Sequence, residues 1–301
     1  GAMDRLFKAT PSKAAPKPKE EPGWFDRRGK DLKRGWDNMR AGASAIYADL
    51  QVREMARSKQ GAADPGYTGI SSPEEARAAY QKRYEEAQQN LAETLPKIVE
   101  RQEALRANPS GETTQAMMQA KTWGEAWSAF WKDPLEIATS VATESLPVSA
   151  PAMLGIVNPV LGMAGIAASA GITEGGGEML SWLATNGVNP LSPDSLNEAF
   201  NNPELMDEAR KRGYTAGAII GVTEALTAGL GMHVGGKIVK STMSPGKKVA
   251  AGVAAGSGIG ATGGAGGETG KQIALEGEVT QPGAIVGEIV GEGVMGVGEA
   301  G

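Results

Sequence analysis

Apolar residues recur along this chain mostly at helical intervals, and the polar residues between them mark where the helices start and stop. Trp24, Phe25, Leu32, Trp36, Met39 and Ile46 repeat with Arg and Lys between them, which predicts a helix over 24–59. Gly61, Pro65, Gly66 and Gly69 then predict a loop over 60–71. Ser72-Pro73-Glu74-Glu75 is a capping box with proline at the first helical position. The helix it opens is long and polar, runs through Tyr80, Tyr84 and Leu91, meets a kink signal at Pro96 and ends near Asn108-Pro109. Its apolar stripe is thin, so it is expected to pack along one edge.

Thr122-Trp123-Gly124-Glu125 is a second capping box. Trp123, Trp127, Phe130 and Trp131 follow at offsets 0, 4, 7 and 8, placing half of the six tryptophans on one helical stripe before Asp133-Pro134 ends it. Such a stripe is either a core seam or an interface that docks a membrane or partner. No Asp, Glu, Lys or Arg occurs from Ser145 to Thr173, a span long enough for a bilayer. Pro147, Pro151 and Pro159 interrupt it, so a buried helical hairpin or a broken membrane-inserting segment is expected there instead of one straight span.

The chain also repeats itself. Gly176-Gly177-Glu178 through Gly187 aligns with Gly266-Gly267-Glu268 through Gly277, and Ala216 through Gly221 aligns with Pro282 through Gly287. Gly171-Ile172-Thr173-Glu174 echoes Gly221-Val222-Thr223-Glu224. The unit is a small-residue helix, a turn at Asn186-Gly187 or Glu276-Gly277, and a second small-residue helix, with residues 189–212 inserted in the first copy. This predicts a duplicated helical hairpin. Gly252, Gly256, Gly260 and Gly264 recur every four residues, as do Gly283, Gly287 and Gly291. That spacing puts them on one helix face, where a second backbone can approach closely. Each glycine costs about 1 kcal/mol of helix stability against alanine, so these helices need tight packing or a bilayer. The uncharged run Val249 to Gly267 is of near-spanning length. Conditional membrane insertion and close packing in water both remain open. Glu174, Glu178, Glu224 and Glu268 sit among these small residues, where carboxylates can serve acid–base work, cap helices or face solvent.

Composition narrows the class. The 301 residues include 43 glycines, about twice the usual share of ~7%, while aromatics are only 5%. A β-sandwich or barrel is disfavoured, and an all-α fold is expected. There is no cysteine, which excludes disulfides, thiolate zinc sites and cysteine nucleophiles. The one histidine, His233, has no companion ligand and reads as structural or surface; no metal site or cofactor is expected. Gly231 to Ile238 imitates a phosphate-binding loop, but Ile238 stands where a hydroxyl is needed. Gly258 to Gly263 matches a dinucleotide pattern within a tract so rich in glycine that the match carries little, and no strand precedes it. No nucleophile with a partner base can be assembled, so no enzymatic activity is expected.

Formal net charge is −5, yet residues 4–40 hold eleven Lys/Arg against six Asp/Glu. Gly1-Ala2-Met3 reads as the scar of a cleaved tag, and residues 1–23 as a disordered basic arm rich in Lys, Pro and Ala. The arm is either a solubilising tail or attracted to genomic DNA or anionic lipid. A polar helical region (24–120) and a Gly/Ala-rich hairpin region (121–301) follow. The pattern stops in mid-period at Val297 to Gly301, as expected of a piece of a longer protein.

Three stretches resemble the internal virion, or DNA-ejection, proteins of tailed, especially short-tailed, bacteriophages: Trp123-Gly-Glu-Ala-Trp127 to Asp133-Pro134, Glu144-Ser145-Leu146-Pro147 with the small-residue helices after it, and the Gly-Gly-Glu hairpins. The resemblance covers roughly 120–301 and, more loosely, 24–50. It implies a protein packaged in the virion, released with the genome into the host envelope, and helping to line a passage for DNA. Some members carry a transglycosylase domain; none of that chemistry occurs in this stretch. The expected function is a non-enzymatic ejection component that self-associates, with the host membrane, other virion proteins and genomic DNA as partners. On this reading the seven ladder glycines serve self-association, and Trp123, Trp127 and Trp131 anchor at an interface. A pore-forming toxin or bacteriocin-like protein, or a soluble helical scaffold region of a large polyvalent protein, are the alternatives.

Overall fold

A computed structural model describes residues 23–64, 72–149, 159–239 and 241–299. The expected arm (1–23) lies outside the described residues except for Gly23, as does most of the 60–71 loop. Among the described residues every regular element is an α-helix: α1 (Trp24–Ala63), α2 (Pro73–Ala107), α3 (Glu112–Met118), α4 (Trp123–Phe130), α5 (Pro134–Ser149), α6 (Pro159–Thr185), α7 (Pro193–Phe200), α8 (Pro203–Val239), α9 (Pro245–Glu276) and α10 (Pro282–Glu299). The fold is all-α.

The punctuation is as the sequence dictates. Ser72 Oγ accepts from the Glu75 amide at 3.2 Å and Glu75 returns by accepting from the Ser72 amide at 2.8 Å. Pro96 lies inside α2 without ending it. Thr122 caps α4 in the same way, but Glu125 reaches back to the Lys121 amide instead of that of Thr122. Asn186-Gly187 and Glu276-Gly277 end α6 and α9; Gly187 and Gly277 carry φ of +88° and +82°, the left-handed cap geometry that favours glycine. Residues 203–239 form one continuous helix, so the second part of the 189–212 insert is the first turns of α8. Of the segment expected within 145–173 as a buried hairpin or a broken membrane-inserting stretch, residues 150–158 lie outside the described residues; on either side of them, Ser169 Oγ donates to the Val148 carbonyl.

The centre of the fold is a backbone-to-backbone seam between α6 and α8. Gly175 faces Gly213, Gly171 faces Gly217 and Ala167 faces Gly221, so the helices run antiparallel in a ladder of four-residue steps. A Cβ on Gly171 would stand 2.7 Å from the Gly217 carbonyl oxygen, and one on Gly175 2.8 Å from that of Gly213. α1 crosses α6 at a similar point: a Cβ on Gly42 would meet the Thr173 carbonyl oxygen at 2.5 Å, and one on Gly176 would overlap the Gly42 backbone.

Two apolar clusters flank the seam. Ala45 and Ala48 of α1, Leu91 and Leu95 of α2, Leu183 of α6 and Phe200 of α7 belong to the larger. Met117, Ala126, Ile137 and Val286 unite α3, α4, α5 and α10 in the smaller. In the first half of α1 the apolar positions that give the helix its period are not the ones it buries, whereas Ile46 further along packs on the larger cluster. Phe25 is 83% exposed and Leu32 and Trp36 lie at the surface, while Arg28, Asp31, Arg34 and Asp37 are buried. Gly35 lets α5 approach until a Cβ there would overlap the Glu144 carbonyl. The buried charges are matched: Arg28 to Asp31 at 2.9 Å and to Glu136, Arg34 to Asp31 and Glu144 at 2.8 Å each, and Asp37 to Lys33 at 2.8 Å.

The seam makes the sign of a glycine-to-alanine change depend on position. Gly217→Ala gains about 1 kcal/mol of helix propensity but overpacks against Gly171, and a net loss of about 1–2 kcal/mol is expected in urea denaturation. Gly177→Ala, with open space at its Cβ, is expected to stabilise by about 0.5–1 kcal/mol. Equal effects at the two sites would contradict the seam.

Candidate functional site

α4 buries Ala126 and Ala129 and turns its tryptophans outward. Trp123 is 47% exposed, Trp127 36% and Trp131 69%. Phe130 alone of the four aromatics packs onto the smaller cluster. It sits edge-on to Trp127 and Trp131, with centroids 5.6 and 5.1 Å apart. The stripe is therefore an outer face and not a core seam. Phe130 fixes it from beneath, and Leu135 extends the apolar surface at the start of α5, 74% exposed.

The glycines singled out by spacing divide. Gly260 and Gly264 are buried in α9, and Gly264 borders a small cavity. Gly283 packs on the Met117 carbonyl and Gly287 on the Met118 sulfur, so both seat α10 on α3. Gly252, Gly256 and Gly291 fall within helices, but their surroundings lie outside the described residues. Among the described residues, the glycines that meet another glycine include Gly171, Gly175, Gly213, Gly217 and Gly221 on the α6–α8 seam and Gly42 with Gly176 between α1 and α6. The four-residue spacing of the seam glycines, and the echo of Gly171-Ile-Thr-Glu in Gly221-Val-Thr-Glu, were the signals available for them.

Of the glutamates among the small residues, Glu174 and Glu178 pair across helices and Glu268 pairs within α9. The cavity, about 80 Å³, is bordered by Ser145, Thr173, Glu174, Glu224, Gly264 and Glu288, among others. Lys271 of α9 stands 3.2 Å from Glu174 of α6 and 2.6 Å from Glu268. Burial works against its charged form, but Glu174, Glu268 and Glu288 outweigh it, and its pKa stands above that of an ordinary lysine. Glu268 also accepts from Gln272, whose amide oxygen receives the Thr280 and Gln281 amides and so holds the α9–α10 turn. At the other end of α8, Arg212 bridges Glu178 at 3.6 Å and Glu276 at 2.7 Å. Among the described residues no group of three His, Asp or Glu is placed to hold a metal ion. His233 lies exposed on α8, and both nucleotide-like glycine patterns fall inside continuous helix, where no loop cradles a phosphate.

A second polar centre joins α1 to α8. Asp49, fully buried, receives the Arg210 guanidinium, the Arg53 guanidinium at 2.9 Å and the Tyr214 hydroxyl at 2.7 Å. Burial and the Asp49 carboxylate push the Tyr214 phenol up from its ordinary 10 to about 12. No family model matches the chain, and neither a curated protein nor a solved structure matches it.

The Tyr214 shift carries a pH signature. The fold holds the protonated phenol, so its contribution is complete below pH 10 and is lost as pH rises from 10 towards 12. Tyr214→Phe is expected to cost about 1 kcal/mol at neutral pH through the lost hydrogen bond, and to flatten the fall in urea midpoint over that alkaline window. An unchanged alkaline slope would contradict the assignment.

Proposed function

We propose that this chain is a non-enzymatic component of a bacteriophage virion, of the internal or ejection type, that self-associates and engages the host envelope during genome delivery. The observation that carries the reading is the outward-facing stripe of Trp123, Trp127 and Trp131, three large aromatics held at the surface by a well-capped helix. Tryptophan combines a broad apolar body with one hydrogen-bond donor, which suits it to a membrane–water interface or to a partner's groove. The basic segment 4–40 adds attraction to anionic lipid or to DNA. No helix among the described residues is long and apolar enough to cross a membrane. The proposal is therefore of engagement at the envelope surface by the folded chain, with any passage for DNA formed by assembly with other copies or other virion proteins.

The test is flotation of the whole chain with anionic liposomes, with dye release read in the same tubes. Co-flotation is expected, and Trp123→Ala combined with Trp131→Ala is expected to weaken it by about tenfold or more, at unchanged helicity. Absence of flotation at every pH and lipid composition would favour the scaffold reading and remove the membrane from this proposal.

A further inference from the structure

A second apolar surface, separate from the α4 stripe, spans three helices. On α8, Tyr214, Ala218, Val222, Leu226 and Leu230 are all exposed and recur every four residues. They make a continuous line about 24 Å long at 1.5 Å per residue. Val222 is 59% and Leu226 64% exposed, uncommon for side chains of this size on a packed helix. On α6, Gly171 and Gly175 face α8 while Thr173 and Gly176 face α1. Ile172 points into the gap between those two neighbours and is exposed, as are Ala164 and Ala168 on the same line. On α1, Trp36, Tyr47 and Leu50 are exposed on the side away from α2, which α1 meets through Asp37 and Gln51.

One contact shows that these lines share a face. Arg53 of α1 lies over the ring of Tyr214 of α8 at 4.9 Å, and the Tyr214 hydroxyl reaches Asp49 of α1. The two outer helices therefore meet on the side where Ile172 is exposed, while an adjacent side of α8 (Ile219, Thr223, Thr227) packs on α9.

The charges beside the α1 part of the face are mostly basic. Arg40 stacks on Trp36 at 5.4 Å, Arg53 on Tyr214, and Arg57 is exposed one turn further along α1. Lys237 is exposed beyond Leu230, and Asp207 is exposed one heptad before Tyr214. Over the same stretch of α1 the acidic residues are Asp49, buried and paired, and Glu54, half-buried. Two copies placed face to face would bring these arginines together. An anionic bilayer instead offers hydrocarbon to the small and branched centre, the interfacial zone to Trp36 and the tyrosines, and phosphates to the arginines.

We infer that α1, α6 and α8 form a membrane-adsorption surface that lies flat on anionic lipid, with the Val222–Leu226–Leu230 line entering the headgroup–acyl boundary. This rests on the reading that the chain engages membranes but names a surface other than the tryptophan stripe. The glycine seam makes such a surface possible, because two helices joined without intervening side chains present a broad, shallow face instead of a ridge.

The cysteine-free chain allows a direct test. An environment-sensitive fluorophore is placed on Leu226→Cys and, as a control, on Glu86→Cys, an exposed α2 position. Each labelled chain is mixed with vesicles of phosphatidylcholine alone or of phosphatidylcholine with phosphatidylglycerol. The expected result is a blue shift at position 226 with the anionic vesicles only, none at 86, and flotation weakened about tenfold or more by Val222→Glu with Leu226→Glu at unchanged circular dichroism. Flotation with the 226 label still in water would overturn the surface while leaving membrane engagement through the tryptophans intact. A shift at 226 that needs protein concentration and no vesicles would overturn it in favour of pairing between copies. No flotation of any labelled chain would remove both readings.

Discussion

The close approach of two glycine-lined backbones, α6 against α8, is the constraint on which the rest of this fold depends. Helices separated by ordinary side chains sit 8–10 Å apart; a ladder in which Gly171 and Gly175 face Gly217 and Gly213 brings them nearer. α1 repeats the device with Gly42 on Thr173 and Gly176, and with Gly35 on Glu144. Each glycine lowers intrinsic helix stability, so these helices gain their order from one another and not from their own propensity. That dependence explains how a chain with 5% aromatics can order so many helices. It also means that side chains flanking the seam need not fill a core and remain at the surface.

Close packing of small residues leaves little apolar volume, and charge pairing fills the gap. Arg28, Asp31, Arg34 and Asp37 line the inner side of α1 where an ordinary helix would carry leucines. Arg28 and Arg34 find cross-helix partners in Glu136 and Glu144 of α5, and Asp37 finds one in Arg101 of α2. Lys271 ties α9 to α6, and Arg212 ties α8 to both hairpins. Buried pairs of this kind add little net stability over an apolar substitute, but breaking one leaves an uncompensated charge. They therefore act on register: in a set of smooth glycine surfaces that could slide by one four-residue step, each bridge fixes which step is used.

The two hairpin copies show how one sequence unit can be put to different uses. Gly217 and Gly221 lie on the seam with α6, yet their counterparts Gly283 and Gly287 seat α10 on Met117 and Met118 of α3. The second copy docks through Gly263, Gly267 and Gly270 onto Thr227, Thr223 and Ile219 of α8. A glycine face specifies closeness without specifying the partner, and the local surroundings decide whether a backbone, a threonine or a methionine fills the space.

The sequence by itself determined the helices and their ends. The Ser72 and Thr122 caps, the prolines at helix starts and the glycine turns at 187 and 277 are local signals, each satisfied within a few residues. It also determined that close helix approach would occur, because four-residue glycine spacing has that one steric consequence. Which glycines would meet, and what each helix would bury, only the tertiary structure decided. The spacing of Gly283 and Gly287 and that of Gly217 and Gly221 are equivalent along the chain, and they differ only in what stands opposite. Likewise the period of Trp24, Leu32 and Trp36 announces a helix but not its inner side, since buried arginines become tolerable only when Glu136 and Glu144, more than a hundred residues away, arrive to pair with them. The same holds for the tryptophans of α4: their spacing put them on one stripe, and the alanines beneath them, packed by α3 and α10, turned that stripe towards the outside.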